Sequence, residues 1–480
     1  MHHMEEIIGR NEEKKILNAA LLSKEAELIA VYGRRRIGKT YLIRNFFQKN
    51  IRFELTGIHQ ASLKIQLQNF SLALQSAMNI PVSPAQPNNW IAAFQMLNEY
   101  IKAVGDREPI VILFDELPWL STPKSGFLQA FGHWWNTSAS RQSFLKVVIC
   151  GSAASWIIRN VINDRGGLHN RVTRRIRLLP FTLAETEQFL VHKGVKLDRY
   201  QILQLYMAMG GVPQYLKQIQ KGESATQSID KLFFNKNGLL RTEFADLYKS
   251  LFAHAQNHEA IVRALSKKAM GMTRAEIIDT CGFTTGGWTS ELFDELEQSG
   301  FITQYIPFGR TIREAIYKLS DEYSLFYLKF IEGARISGAG SWLRISKSHT
   351  YMSWSGFAFE AICQKHVDAI KNALGISGVY TESSGWRSIS GNGSKGAQVD
   401  LLLDRADHCI NLCEMKFSSN IFIIDKKYAG ELDAKVSIFQ LQTRTRKTLF
   451  PTMITTFGTT HNQYYTGRIV AEITMQELFM

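Results

Sequence analysis

The sequence has few cysteines and no long hydrophobic run. Five of its 480 residues are cysteine, the count is odd, and no two form a CxxC pair, which argues against a disulfide framework. No stretch approaches the roughly 20 consecutive apolar residues that span a bilayer, and residues 1–6 contain no apolar signal core. We therefore expect a cytoplasmic protein with no membrane partner.

Acidic residues are also in deficit. The chain has 56 Lys and Arg against 43 Asp and Glu, a formal net charge of +13 and a pI near 9.4. Such an excess favours a polyanionic partner, with DNA as the leading candidate. A basic soluble protein without such a partner is the alternative, although the basic residues also cluster locally.

The length suggests about three domains of roughly 150 residues each. Between residues 27 and 181, short apolar runs alternate with helical patterns, and we predict strands at 28–32, 51–55, 110–114, 147–150 and 176–179. This alternation is typical of a parallel sheet with crossover helices. Residues 182–240 read as mostly helical, with a glycine and proline break at 210–213.

The remaining pattern predicts two further domains. Three helices, the second starting at the capping box Thr273 to Glu276, precede strands at 301–305 and 314–319, as in a winged helix-turn-helix. The third helix, 290–299, carries four acidic residues, which favours a protein-facing or domain-linking role. From residue 354 the pattern is α+β, with a helix at 357–373, strands at 399–403 and 410–415, and a flexible loop at 385–396.

The first predicted strand runs directly into a loop that matches G-x-x-x-x-G-K-[ST] and is followed by a helix, which is the context of a P-loop. Its backbone N–H groups and the helix dipole would hold the phosphates of ATP. Lys39 would reach the β- and γ-phosphates, and the Thr40 hydroxyl would bind Mg²⁺. The predicted nucleotide-binding loop is Gly33, Arg34, Arg35, Arg36, Ile37, Gly38, Lys39 and Thr40.

Two later strands end in polar residues that suit the same site. Asp115 follows a buried apolar run and can hold Mg²⁺, and Glu116 can orient or deprotonate the attacking water. Ser152, after the strand at 147–150, can sense the γ-phosphate or be an ordinary loop serine.

A guanidinium from the arginine cluster that follows would stabilise transition-state charge in the same chain or from a neighbouring subunit of a homo-oligomer. A solvated or DNA-facing strip is the alternative. The cluster is Arg165, Arg171, Arg174, Arg175 and Arg177.

Taken in order, these motifs resemble the archaeal-type ATPase family, a member of the STAND branch of AAA+-like P-loop NTPases. The resemblance covers residues 5–240 and rests also on the motifs at 9–12, 179–181 and 210–216. It implies that Gly9 and Arg10 lie near the adenine and that Pro213, in a helical lid, closes over the nucleotide. Arg171 takes the place of the arginine in the family's Gly-Arg pair, although Asn170 replaces the glycine.

The C-terminal part is similar to the module often fused to this family, a winged helix and a restriction-endonuclease-like domain. Asp400 on one strand and Glu414-Met415-Lys416 on the next match the PD-(D/E)xK nuclease pattern, and alternation places Glu414 and Lys416 on one face. Two carboxylates can hold Mg²⁺ or Mn²⁺ to activate water, and Lys416 would orient that water or neutralise developing charge. Glu360 matches the family's additional acid and potential metal ligand. A nuclease fold used only for binding is the alternative. The basic residues that follow would track a phosphate backbone or form a solvated helix face: Lys426, Lys427, Lys435, Arg444, Arg446 and Lys447.

The sequence therefore predicts a multidomain α/β protein. Its parts are an AAA+-like P-loop ATPase core at 1–181, a helical lid at 182–250, a winged helix at 251–335, and an α+β nuclease-like domain at 350–480. The expected function is ATP hydrolysis that controls a Mg²⁺-dependent DNA nuclease, and the resemblance implies defence or mobile-element biology. The alternative is an ATP-dependent regulatory or assembly switch whose nuclease-like domain only binds DNA or a protein partner.

Overall fold

The computed structural model describes residues 6–82, 84–334, 338–388 and 396–480. Most of the loop predicted at 385–396 and the first five residues lie outside these ranges. The chain divides into two compact units. The first comprises Met1–Pro180, Ser250–Ala253 and Asp294–Gly300, and the second comprises Phe181–Lys249, His254–Phe293 and Phe301–Met480.

Helices and strands alternate through the first unit, as the sequence predicts. Their bounds are α1 Asn11–Leu22, β1 Glu27–Tyr32, α2 Lys39–Phe46, β2 Ile51–Thr56, α3 Leu63–Met78, α4 Trp90–Val104, β3 Ile110–Asp115, α5 Leu117–Leu120, α6 Phe127–Thr137, β4 Leu145–Gly151, α7 Ala154–Ile157 and β5 Arg174–Arg177.

The five strands of the first unit form one parallel sheet in the order β2-β3-β4-β1-β5. Strand β4 therefore lies between β3 and β1. Because all strands run the same way, the residues that follow β1, β3 and β4 meet at one edge of the sheet.

Both faces of this sheet are covered, which explains why its strands read as continuous apolar runs. Alternate residues of β1 point to opposite faces: Leu28 and Ala30 pack among the aromatic residues of α3, α4 and α6, while Ile29 and Val31 pack against α1 and α2. The sheet core therefore holds the strand ends, and the loops that follow them, in place.

The second unit is helical at first and ends in a mixed sheet. Its elements are α8 Leu183–His192, α9 Arg199–Met209, α10 Pro213–Leu216, α11 Ala225–Ile229, α12 Leu239–Lys249, α13 Ala255–Ser266, β6 Met272–Thr273, α14 Arg274–Cys281, α15 Gly287–Gln298 (whose last residues belong to the first unit), β7 Ile302–Tyr305, β8 Ile316–Leu319, α16 Glu322–Phe330, α17 Ser341–Ile345, α18 His349–Lys365, α19 Val367–Ala373, β9 Thr381–Arg387, β10 Gln398–Arg405, β11 Cys409–Lys416, α20 Lys426–Thr443, β12 Thr448–Thr455 and β13 Ala471–Thr474.

Two sheets organise this unit. The small one is antiparallel, in the order β6-β8-β7, and follows the helices α13, α14 and α15. The larger one has the order β13-β12-β11-β10-β9, in which β9, β10 and β11 are antiparallel and β12 and β13 are added in parallel. No helix among the described residues is both long and apolar enough to cross a membrane.

Several element bounds differ from the sequence prediction. The strand predicted at 176–179 lies at Arg174–Arg177, because only these residues pair with β1. The predicted strand 314–319 begins at Ile316, after a short 3-10 turn at Ile312–Glu314.

The helix predicted at 357–373 is two helices that meet at His366. The imidazole of His366 is buried, and its Nε2 accepts a hydrogen bond from the backbone N–H of Leu183 at 3.0 Å. Burial lowers the pKa of His366 to about 4, so that the ring is neutral and can accept this bond. The break is therefore a tertiary feature that helical periodicity does not reveal.

Candidate functional site

Two glycines shape the loop between β1 and α2. Gly33 has a φ of 148°, and a Cβ there would lie 2.2 Å from the carbonyl oxygen of Leu178, while Gly38 has a φ of 88°. Side chains are disfavoured at both positions. Gly38 also precedes α2 and has no side chain to cap it, so the first N–H groups of the helix can receive an anion.

Lys39 lies inside this loop. Its side chain is buried, and its ammonium donates hydrogen bonds to the carbonyl oxygens of Gly33 and Arg34, both at 2.8 Å. Burial lowers the pKa of Lys39, and the Glu116 and Asp115 carboxylates partly offset that effect. The ammonium is thus held in the loop by carbonyl oxygens, which phosphate oxygens can replace.

A hydroxyl and a carboxylate meet at the start of α2. The Thr40 Oγ1 donates to the Oδ2 of Asp115 at 2.9 Å, although 75 residues separate them. Asp115 ends β3, which runs parallel to β1 two strands away. Both groups offer the hard oxygen atoms that Mg²⁺ prefers, and Mg²⁺ usually keeps water and phosphate as its other ligands.

Glu116 and Ser152 are also in contact. Glu116 adopts a left-handed φ of 47°, and its Oε2 accepts hydrogen bonds from the backbone N–H of Ser152 at 3.1 Å and from the Ser152 hydroxyl at 2.8 Å. Ser152 follows β4, the strand between β3 and β1. The sequence predicts that both residues lie beside the γ-phosphate. The structure adds that they are in direct contact.

Arg10 lies against the same loop. Gly9 and Arg10 both have left-handed backbone conformations, with φ of 63° and 57°. The Arg10 guanidinium is buried and donates to the carbonyl oxygen of Ile37 at 3.2 Å. This hydrogen bond connects the segment before α1 to the phosphate-binding loop.

The other side chains of the loop have different surroundings. Arg34 is buried and Ile37 packs in the core beneath the sheet. The Arg35 guanidinium lies over the Trp119 ring at 5.1 Å, and Arg36 is exposed. Because its side chain lies in the core, Ile37 can contribute only its backbone to a ligand site.

Two further predicted residues, Arg171 and Pro213, are not part of the loop itself. Arg171 is exposed and follows Asn170, which has a left-handed φ of 54°. No hydrogen bond or ion pair joins the Arg171 side chain to the loop within the described part of the chain. Pro213 opens helix α10 of the second unit.

A second polar cluster lies on the large sheet of the second unit. Glu414 and Lys416 share one face of β11, and the Lys416 ammonium lies 3.0 Å from the Oε1 of Glu414. The pairing of Leu401 with Cys413 brings Asp400, the preceding residue of β10, beside them. The predicted acid, acid and lysine set is therefore assembled.

Helix α20 adds two residues to this cluster that the sequence pattern does not single out. The Lys435 ammonium donates to the Oε2 of Glu414 at 2.7 Å, and the Tyr428 hydroxyl donates to Oε1 at 3.0 Å. The Lys416 ammonium also lies 5.4 Å from the centre of the Tyr428 ring. In the sequence, Lys435 is one of several basic residues that follow Lys416, and its position in the sequence does not indicate that it contacts Glu414.

The carboxylates of this cluster differ in electrostatic environment. Burial raises the pKa of Glu414, but Lys416 and Lys435 outweigh it and hold the pKa below its ordinary value. Burial and the Glu414 charge raise the pKa of Asp400. Burial and the Asp400 charge raise the pKa of Glu360, on α18, to about 8. Asp400 and Glu360 are thus under-compensated carboxylates that a further cation would stabilise.

The carboxylates alone do not complete a metal site. Within the described residues, no group of three or more His, Cys, Asp or Glu side chains could hold a metal ion. A divalent cation at Asp400 would need oxygen ligands from water or from a bound phosphate.

Comparisons with known proteins cover the first unit and part of the second. Residues 8–219 match an ATPase domain that is described as predominantly from Archaea. An uncharacterized protein of Methanocaldococcus jannaschii is 23% identical over 404 residues, which cover 82% of this chain and 83% of the relative.

Among solved structures, the Walker-type ATPase of Pyrococcus abyssi aligns with a TM-score of 0.49 and 17% identity, over 68% of this chain and 96% of that chain. The ORC2 protein of Aeropyrum pernix aligns with a TM-score of 0.41 and 14% identity, over 67% and 93%. The family match, together with the parallel sheet and its P-loop, supports an ATPase domain at residues 8–219.

Proposed function

We propose that this protein binds and hydrolyses Mg²⁺-ATP in its first unit and uses the nucleotide state to control a metal-dependent DNA nuclease centre in its second unit. The hydrogen bond between Thr40 and Asp115, at the open end of α2, carries the first half of the proposal. The match of residues 8–219 to an ATPase domain supports it.

The residues of the first unit suit the phosphates of ATP. The N–H groups of the loop and of α2 would bind phosphate oxygens, and Lys39 would exchange its two carbonyl contacts for β- and γ-phosphate contacts. Thr40 and Asp115 would hold Mg²⁺, which neutralises phosphate charge. Gly9 and Arg10 would lie near the adenine. Pro213, in the lid, would close over the nucleotide, and Arg171 would stabilise the charge of the transition state as an arginine finger.

Glu116 has a separate task in this scheme. Its carboxylate would accept the proton of the attacking water. In the structure the same carboxylate is bonded to Ser152. We propose that Ser152 turns to the γ-phosphate when ATP binds, which frees Glu116 for the water.

Glu116→Gln is expected to keep ATP bound while hydrolysis falls by about 10²- to 10⁴-fold, because the amide cannot accept the proton. Nucleotide affinity is measured by calorimetry and phosphate release in a steady-state assay. The control is Glu99→Gln, an exposed glutamate of α4 in the same unit. Loss of ATP binding in Glu116→Gln would assign Glu116 a structural role instead.

The second unit supports the nuclease half of the proposal. Three helices, α13, α14 and α15, are followed by the hairpin β7–β8, and this order suits a winged helix. The elements from α18 to β13 suit a restriction-endonuclease-like domain. Asp400 and Glu414 would hold Mg²⁺ or Mn²⁺ together with oxygen ligands from water or phosphate, and the cation would activate water for phosphodiester hydrolysis. Glu360 would be an additional acid beside them. Lys416 would orient that water.

Contacts inside the second unit give control by the lid a physical basis. The Tyr200 ring of α9 stacks on Phe417, the residue after Lys416, with centroids 5.6 Å apart. The N–H of Leu183, at the start of α8, bonds to His366 between α18 and α19. A movement of the helices at 182–216 would therefore be transmitted to Phe417, next to Lys416, and to the end of α18, the helix that carries Glu360.

A plasmid assay tests the nuclease proposal. The protein is incubated with supercoiled plasmid and Mg²⁺ or Mn²⁺, with ATP, ADP or no nucleotide, and with the Asp400→Asn variant as the control. Cleavage that depends on metal and on Asp400 supports the proposal. Absence of cleavage under all conditions would favour the alternative, an ATP-dependent regulatory or assembly switch whose nuclease-like domain binds DNA or a protein.

DNA binding is expected to weaken steeply as salt rises. A chain of net charge +13 that contacts several phosphates releases counterions, with a log–log slope of roughly −0.9 per phosphate contact. Fluorescence anisotropy with a labelled duplex between about 50 and 200 mM salt measures the slope. A flat response would indicate a partner other than nucleic acid.

The protein is also proposed to form a homo-oligomer. Sedimentation with and without ATP tests this.

A further inference from the structure

A cavity separates the small sheet from the large sheet within the second unit. Its volume is about 950 Å³, within the range of ligand pockets, roughly 300–1,000 Å³. One wall is the hairpin β7–β8 with its connecting loop, and the other walls are α18 and the edge strand β9. Its lining residues include Tyr305, Lys318, Gln364, Gly385 and Leu401.

The hairpin is attached to the large sheet at a defined point. The N–H of Phe308, in the β7–β8 loop, donates to the carbonyl oxygen of Gly385 at 2.9 Å. The Phe308 ring packs against Phe439, with centroids 5.4 Å apart, in the core beneath β10 and β11. A main-chain hydrogen bond and an aromatic contact thus place the hairpin beside β9 and β10.

This attachment brings Lys318 of β8 toward the carboxylates. The Lys318 ammonium lies over the Tyr305 ring at 4.7 Å, and the Tyr305 ring in turn lies near Gly385, where a Cβ would be 3.7 Å from Tyr305 Cε2 and 3.6 Å from the carbonyl oxygen of Asp400. That oxygen also accepts from the side chain of Gln364 at 3.1 Å. Burial lowers the pKa of Lys318, and the Glu360 and Asp400 carboxylates partly offset this effect.

The charges around the cluster show what Lys318 contributes. Lys416 and Lys435 both contact Glu414, and no ion pair holds Lys318 within the described residues. Glu360 and Asp400 form no such ion pair among the described residues, and their neighbours in the chain, Ala361 and Leu401, line the cavity. A phosphodiester that entered the cavity beside Ala361 and Leu401 would come close to these carboxylates, and the Lys318 ammonium, which lines the cavity, would reduce the repulsion.

We propose that the β7–β8 hairpin completes the nuclease centre, with Lys318 as a substrate-binding residue that contacts a phosphate of the DNA strand in the cavity. This inference rests on the proposed function. According to this inference, the hairpin is part of the cleavage site and is not a separate DNA-binding element. Tyr305 positions the ammonium through its ring face, a cation–π contact, and Gln364 fixes the backbone of Asp400.

The test compares Lys318→Met with Lys318→Arg and with Lys329→Met, an exposed lysine of α16. Methionine keeps the apolar stem and removes only the charge. We expect kcat/KM for cleavage to fall roughly 10- to 100-fold in Lys318→Met, the loss of one charge-assisted hydrogen bond, mainly through a higher KM. Lys318→Arg should recover most of this loss, and Lys329→Met should match the wild type.

A second readout separates this inference from the proposed function. DNA affinity is measured by anisotropy in Ca²⁺, with ATPase activity and the melting temperature as folding controls. Weaker binding in Lys318→Met, with or without cleavage by the wild type, supports the phosphate contact. Wild-type kcat, KM and affinity in Lys318→Met, while Asp400→Asn is inactive, would overturn the inference and leave the nuclease proposal standing. If Asp400→Asn and Lys318→Met both behave as the wild type in cleavage and in binding, both ideas fail.

Discussion

Lys39→Ala is expected to lower ATP hydrolysis by at least about 100-fold, the size of effect seen when one preorganised donor is removed from developing charge. Lys39 is a buried side chain of the first unit that is held inside the loop, with two carbonyl oxygens as its partners. Nucleotide affinity should fall as well, because no other ammonium occupies the loop among the described residues. Phosphate release and calorimetric titration with ATP measure the two effects.

Lys49→Ala is the matched control for this substitution. Lys49 is an exposed lysine shortly after α2, in the same unit, and its removal should leave both hydrolysis and affinity unchanged. The loop carbonyls that Lys39 releases can bind water, so the variant should still fold, which a melting curve checks. Hydrolysis at the wild-type rate by Lys39→Ala would contradict the assignment of the ATP site.

Asp400→Asn and Lys416→Met are each expected to remove DNA cleavage, by two or more orders of magnitude, while ATPase activity persists. In the proposed nuclease centre, the two side chains and Glu414 would serve one water and one phosphate, so that the loss of any one would disable the set. The ATPase residues lie in the other unit. Cleavage of a labelled duplex and phosphate release are measured on the same samples.

Glu414→Gln should be equally inactive and also less stable. Both oxygens of Glu414 hold lysines, and the neutral amide leaves Lys416 and Lys435 without their countercharge, which destabilises a buried cluster. Glu360→Ala should have a milder effect, since this acid lies on α18 beside the set. Asp368→Asn, at an exposed position of α19, controls for loss of a carboxylate. Equal cleavage by the wild type and by all three cluster variants would place the active site elsewhere.

Local patterns predicted the ATP-binding loop because its requirements are local. The two glycines, Lys39 and Thr40 lie within eight consecutive residues, and the backbone angles of Gly33 and Gly38 are what such a loop needs. Asp115 was predictable for a related reason, since it ends a fully buried strand whose apolar run is plain in the sequence. Contact between Glu414 and Lys416 follows from the two-residue period of a strand.

Other features depend on pairs of residues that are distant in the sequence. The Glu116 and Ser152 contact joins two strand ends, and it exists because β4 lies between β3 and β1. The break at His366 depends on Leu183, which is 183 residues away. No periodicity encodes either contact.

By itself, the sequence determined the parallel sheet of the first unit, its P-loop and the acid, acid and lysine set of the second unit. Backbone conformation and side-chain alternation along single elements are enough to predict these features. Only the tertiary structure decided that Ser152 binds Glu116, that Lys435 shares Glu414 with Lys416, and that Lys318 lines one cavity with Gln364, which bonds to the carbonyl oxygen of Asp400. The physical reason is that charge compensation and burial act through space, between elements whose order in the sheets sets which side chains meet.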